Sequence, residues 1–130
     1  MPILVDAYNV IHAAMKRRMS GFEIRGGEME PSRESLLALL AKYRSGRRDR
    51  VVVFFDAGPD AAHLPHHSVH TGIDVRFSDA DSDADADIKS AVSHSPNPTT
   101  LRVVTSDLAI QRFVKRFGAK VTDARDFIDE

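Results

Sequence analysis

Cysteine is absent from the 130 residues, which excludes disulfides and thiolate metal sites. No apolar run approaches the ~20 residues that a membrane-spanning helix needs. The opening MPILVDAYNV has no basic leader and runs straight into a strand-like segment, so no secretory signal is expected. A cytoplasmic protein without membrane contact is the resulting expectation. Neither G-x-x-x-x-G-K-[ST] nor G-x-G-x-x-G occurs, which disfavours nucleotide triphosphatases and dinucleotide enzymes. Internal repeats are also lacking. The length suits one domain spanning 1–130.

What is present is an ordinary globular composition, 42% hydrophobic and 28% charged. The net charge of −1 conceals an uneven distribution. Residues 1–50 sum to +4, residues 51–100 to −6 and residues 101–130 to +1. A uniformly basic nucleic-acid binder has a different profile. A local acidic site flanked by basic segments fits, although ordinary surface charge also produces such blocks.

Ile3–Asp6 reads as a short buried strand and Tyr8 to about Arg18 as a helix. Ser20 to Glu30 holds three glycines and no clear period, so it reads as a loop. Pro31 suits the first turn of a second helix, with Leu36, Leu39, Leu40 and Tyr43 at helical spacing and Gly46 at its end. Val51–Asp56 reads as a buried strand and Ala57 to about Ser68 as a loop. Val69 to Phe77 suggests a third strand, strongest over Ile73–Phe77. A helix from Ser82 to about His94 follows, with Ser82 and Asp85 loosely fitting a capping box. Leu101–Thr105 is a fourth strand, Leu108–Phe117 a helix ending at Gly118, Lys120–Thr122 a fifth strand and Ala124–Ile128 a closing turn. This alternation predicts an α/β fold with a mostly parallel central sheet of about five strands flanked by helices. The segment after the second strand lacks a clear helix, which weakens an all-parallel assignment.

Three of these strands end in aspartate: ILVD at Asp6, VVVFFD at Asp56 and LRVVTSD at Asp107. In a parallel sheet their carboxyl ends share one edge, where open α/β folds build ligand sites. Carboxylates within ~4–6 Å raise one another's pKa, a penalty that a divalent cation removes. All-oxygen ligation favours Mg²⁺ or Mn²⁺ over Zn²⁺, and phosphodiester hydrolysis uses such a site. The competing role for each aspartate is to cap a following helix or begin a turn.

The run Asp79 to Asp87 places five aspartates at alternate positions. It is not an EF-hand, because Ala84 and Ser90 stand where that loop needs Gly and Glu. With about 100° per residue and Ile88 facing the core, Asp85 lies about 60° from the buried direction, Asp87 about 100° and Asp83 about 140°. Asp85 is therefore expected to join the cluster and Asp83 and Asp87 to face solvent, while Asp81 could reach inward.

DAYNVI at Asp6–Ile11, VVFFDA at Val52–Ala57, ADADI at Ala84–Ile88, VVTSD at Val103–Asp107 and GAKVTDARDFI at Gly118–Ile128 together resemble the YacP-like branch of the NYN domain family. The resemblance covers essentially the whole chain. It implies a PIN-like three-layer fold and a Mg²⁺- or Mn²⁺-dependent ribonuclease. By motif it places catalytic roles on Asp6, Asn9, Asp56, Asp85 and Asp107, with Asp6, Asp85 and Asp107 as metal ligands. RNA is the implied partner, single-stranded or messenger, with the ribosome as a candidate setting; oligomeric state is left open. The family usually has Gly where Ala7 stands, and its members often extend further at the C-terminus.

Arg17, Arg18, Arg44, Arg47, Arg48 and Arg50 are candidates for RNA backbone contacts, against the alternative of solvated surface. Tyr8 is a candidate base-stacking residue or core. His63, His66, His67 and His70 crowd an expected loop, where phosphate contact or plain exposure is favoured over zinc. A non-catalytic RNA-binding module on the same fold is the alternative function. A phosphatase of the haloacid dehalogenase type is disfavoured, because Ala7 and Tyr8 follow Asp6 instead of x-Asp.

Overall fold

The computed structural model describes residues 2–23, 30–56, 64–79 and 81–130. In chain order the elements are β1 (Ile3–Asp6), α1 (Ala7–Lys16), α2 (Glu30–Arg44), β2 (Val51–Phe55), β3 (His67–His70), β4 (Ile73–Phe77), α3 (Ala84–Ser93), a 3-10 turn (Pro98–Thr100), β5 (Arg102–Val104), α4 (Leu108–Lys115), β6 (Lys120–Thr122) and α5 (Ala124–Phe127). The six strands form one sheet in the order β3-β4-β2-β1-β5-β6. Every pairing is parallel except β3 with β4.

The sheet is the middle of three layers. Ile3, Val5, Val51, Val53 and Phe55 point to one face, where they pack with Val10, Ile11 and Ala14 of α1, Leu36 and Leu40 of α2 and Phe127 of α5. Leu4, Val52, Phe54 and Val103 point to the other face, against Ile88 and Val92 of α3 and Ile110 and Val114 of α4. Strands apolar on both sides are what a helix-covered parallel sheet requires. Ile88 is fully buried, and truncating such a side chain to alanine costs about 2–5 kcal/mol.

Two differences from the sequence reading have local causes. His67–His70, partly inside the expected loop, is an antiparallel strand joined to β4 by Thr71 and Gly72. Both turn residues have positive φ, 49° and 82°, as a two-residue hairpin of type I′ requires. Thr-Gly lacks the Asn-Gly or Asp-Gly signal, so the hairpin merged with the strand that follows it. The Ser82–Asp85 capping box does not form. Asp83 is the N-cap of α3 and accepts from Ala86 N, while Ser82 Oγ donates to Asp87 Oδ1 at 3.1 Å. Asp87, expected to face solvent, is thereby half-buried, and burial raises its carboxyl pKa, helped by Asp79, Asp83 and Asp56. Residues 57–63, including His63, lie outside the described residues. Even so, β2 and β4 pair in parallel.

From β1 the chain builds outward through β2 and β4 on one side and through β5 and β6 on the other. A sheet that reverses direction in this way places its ligand crevice beyond the carboxyl ends of the strands at the reversal, which here are β1 and β5.

Candidate active site

Asp6 ends the strand at that reversal. Parallel register sets Asp6 beside Phe54, two residues before Asp56, and Val5 beside Val104, three residues before Asp107. The three strand-end aspartates therefore share one edge of the sheet. Asp6 is buried, at 6% exposure. Its carboxyl is pushed up to about 6, first by burial and then by the negative charges of Asp56 and Asp107, against the hydrogen bonds from Thr105 and Asn9.

The caps distinguish these aspartates. Asp107 is the N-cap of α4, its Oδ1 accepting from Ala109 N at 2.8 Å and Ile110 N at 3.2 Å. Asp56 Oδ1 accepts from Ala84 N, the first residue of α3, at 2.6 Å. Asp6 occupies the N-cap position of α1 but its side chain makes no capping bond. A buried carboxylate that declines the partner next to it is held for something else. Its Oδ2 instead accepts from Asn9 Nδ2 at 2.8 Å and Thr105 Oγ1 at 2.9 Å. Thr105 is fully buried and its hydroxyl oxygen also accepts from Asp107 N at 3.1 Å. Asn9 accepts from Ser106 N at 2.9 Å. Ser106 Oγ then donates to Asp123 Oδ1 at 2.9 Å. Asp123 caps α5 and is held by the Arg125 guanidinium, which keeps its carboxyl far below the usual range.

The helix starts of α1, α3 and α4 meet at this edge, and their positive ends favour carboxylate or phosphate there. Ala7, where a glycine was the expectation, begins α1 with negative φ and is fully buried. No glycine conformation is needed at that position.

Asp85 is placed differently. It sits in the first turn of α3, half-exposed, with Oδ1 3.1 Å from Lys89 Nζ but outside hydrogen-bond geometry. Lys89 leans over the ring of Phe113 on α4, so this side of α3 faces α4. Asp81 and Asp83 are exposed.

Among the described residues no three carboxylate or imidazole groups stand ready-made around a metal ion. The chemistry of the donor set nonetheless fits a hard cation. Asp56 and Asp107 each commit Oδ1, and Asp6 commits Oδ2, to the protein hydrogen bonds described. Among the described residues, one oxygen on each of the three carboxylates is left for a cation.

The arginines expected to meet RNA lie elsewhere. Arg44 ends α2, and Arg47, Arg48 and Arg50 precede β2, at the amino edge of the parallel strands. Arg50 binds Asp74 at 2.6 Å, and Arg47 stacks over Tyr43. Burial pushes the Asp74 carboxyl up, but Arg50, Arg76 and His67 outweigh it and hold the group below its ordinary value. Arg17 pairs with Asp129, and Arg18 is exposed just past α1. Tyr8 packs edge-on against Phe55 and donates to Asp56 O at 3.4 Å. His66 and His67 approach Asp79 and Asp74 respectively, and His70 is exposed. The sequence reading missed Asp123 altogether. Its signal was available in the T-D-A-R run, where Asp stands before a helical turn and two residues from Arg.

Comparison with known proteins agrees with this architecture. The family model for the YacP-like NYN domain matches residues 3–130. The "Uncharacterized protein YacP" of Bacillus subtilis (strain 168) is 29% identical over 129 residues, covering 98% of this chain and 73% of that one. The crystal structure of Rae1 (YacP) from Bacillus subtilis superposes with a TM-score of 0.71 at 27% identity, covering 99% of this chain and 72% of that one. Its W164L mutant gives 0.72 at 26% identity, with the same coverage. The chain belongs to the YacP-like NYN domain family, within the PIN-like nuclease superfamily.

Proposed function

We propose that the chain is a Mg²⁺- or Mn²⁺-dependent ribonuclease, an endoribonuclease acting on single-stranded RNA, with its site at the carboxyl edge of β1, β2 and β5. The observation that carries this reading is Asp6. It is a buried carboxylate at the end of the central strand, charged against Asp56 and Asp107, and it does not cap the helix it precedes. Burying such a charge without a counter-charge is costly, and a divalent cation offsets that cost.

When bound, the cation supplies an acidified water and neutralises charge accumulating on the phosphoryl group. Asp6 Oδ1, Asp56 Oδ2 and Asp107 Oδ2 are the oxygens that would hold it. Asp85 contributes from the first turn of α3, directly or through water. Asn9 and Thr105 fix Asp6 by donating to its Oδ2, which keeps Oδ1 aimed away from them. The starts of α1, α3 and α4 favour the anionic phosphate.

The test is cleavage of a labelled single-stranded RNA with Mn²⁺. Wild-type protein is expected to cut it, and Asp6→Asn and Asp107→Asn to lose at least about 100-fold in rate while keeping their folds. Unchanged cleavage in both variants removes the mechanism. Metal-independent RNA binding with no turnover in the wild type supports the alternative, a binding module that kept the fold.

A further inference from the structure

A cavity adjoins the acidic edge and has the opposite character. It is about 330 Å³ and is lined by Asn9, His12, Ala13, Lys16, Ser106 and Arg125. No carboxylate is in that lining. Asn9, His12, Ala13 and Lys16 are spaced i, i+3, i+4 and i+7, a single stripe of α1 about 10 Å long. Arg125 faces the stripe from α5. Its Nε and Nη2 hold Asp123, so Nη1 remains for a ligand. The small Ala13 side chain leaves the space open between the longer ones.

Two of the lining residues belong to both sites. Asn9 holds Asp6 and Ser106 holds Asp123. The cavity therefore begins where the carboxylate cluster ends. A chain of phosphates leaving a metal-bound scissile group would meet cationic donors here and meet repulsion from Asp79, Asp83 and Asp87 beside α3.

We propose that this cavity holds the RNA backbone phosphates next to the scissile one. Lys16 and Arg125 supply charge, and His12 and the second hydrogen of Asn9 Nδ2 supply further donors. The inference rests on the nuclease reading and names the direction in which the substrate leaves the site. It also replaces Arg17 with its neighbour Lys16 as the α1 cation that meets RNA, because Arg17 is already paired with Asp129.

The experiment uses the full chain carrying Asp6→Asn to block turnover, and a fluorescein-labelled oligouridylate followed by anisotropy across a salt series. Lys16→Gln and Arg125→Gln, both at exposed positions, are each expected to weaken binding roughly three- to tenfold and to reduce the slope of log affinity against log salt by about 0.7. Lys115→Gln, on α4 away from the cavity, is expected to leave affinity and slope unchanged. In chains with Asp6 intact, Lys16→Gln should raise KM more than it lowers kcat. Cleavage by the wild type together with unaltered affinity and salt slope in Lys16→Gln and Arg125→Gln overturns the subsite alone. Equal weakening by Lys115→Gln also overturns it, since the effect is then one of net charge. No binding and no cleavage by the wild type overturns the nuclease reading and this inference with it.

Discussion

Asn9 donates to Asp6 Oδ2 at 2.8 Å and accepts from Ser106 N at 2.9 Å, so one neutral side chain of α1 ties the end of β1 to the segment that follows β5. Neutrality matters in this position. A carboxamide supplies a donor to Asp6 and an acceptor to Ser106 without adding to a site already crowded with negative charge. We predict that Asn9→Asp, nearly identical in shape, loses at least about tenfold in cleavage rate. It replaces the donor to Asp6 with a fourth carboxylate beside Asp6, Asp56 and Asp107. Asn9→Ala should also cost about 1–3 kcal/mol of stability by leaving Ser106 N without its acceptor. Cleavage assays and thermal melts of the two variants check this; full activity in Asn9→Asp would count against it.

Asp6 makes stability depend on pH in an unusual direction. Its folded pKa, about 6, lies above the ordinary 3.8. Such a group contributes most below pH 3.8, and that contribution is lost as pH rises through 6. The ionised form therefore destabilises the fold at neutral pH by an amount on the order of 3 kcal/mol. We predict that metal-free Asp6→Asn is more stable than wild type at pH 8, and that the difference shrinks as pH falls from about 7 to 4. Asparagine retains an oxygen to accept from Asn9 and Thr105. Melting curves in a metal chelator across that range measure the effect, and a variant less stable than wild type at pH 8 contradicts it.

Thr105 is fully buried, donates to Asp6 and accepts from Asp107 N. Thr105→Val keeps the shape and removes both bonds. We predict a loss of about 1–3 kcal/mol and an acidic limb of the pH–rate profile displaced to higher pH, because a hydrogen bond that lowers the Asp6 pKa is gone. Thr105→Ser should restore the profile. Identical profiles for valine and threonine at 105 would rule out the role of this hydroxyl in setting the charge of Asp6.

Asp107 combines a structural duty with a proposed catalytic one, and two substitutions separate them. Asparagine is as good an N-cap as aspartate, whereas alanine costs about 0.5–2 kcal/mol. We predict that Asp107→Asn melts near wild type and is inactive, while Asp107→Ala is both less stable and inactive. Asp85 makes its ionic contact with Lys89 among the contacts described, and Asp85→Asn should reduce the rate less than Asp107→Asn. A reversed order would move Asp85 to the centre of the site.

The layers and the strand-end aspartates were legible because both follow from periodicity. Runs such as VVVFF can only be buried on both faces, and parallel strands must end on one edge. The family motifs were legible for the same reason, since they are those strand ends. Less legible was anything set by side-chain competition. Asp83, not Ser82, caps α3, because several residues in an Asp-rich stretch can each play that part. The Thr71–Gly72 hairpin lacks a strong turn dipeptide. Arginines are easy to count in a sequence, but whether Arg17 is free or held by Asp129, 112 residues away, depends on how the last helix returns against α1.

The most direct measurement is anomalous diffraction from crystals soaked in Mn²⁺, compared with the same soak of Asp6→Asn. The prediction is a manganese peak at the carboxyl edge of the sheet, contacted by Asp6, Asp56 and Asp107 and missing from the variant. A peak elsewhere, or none at millimolar Mn²⁺ with all three carboxylates in place, would contradict it.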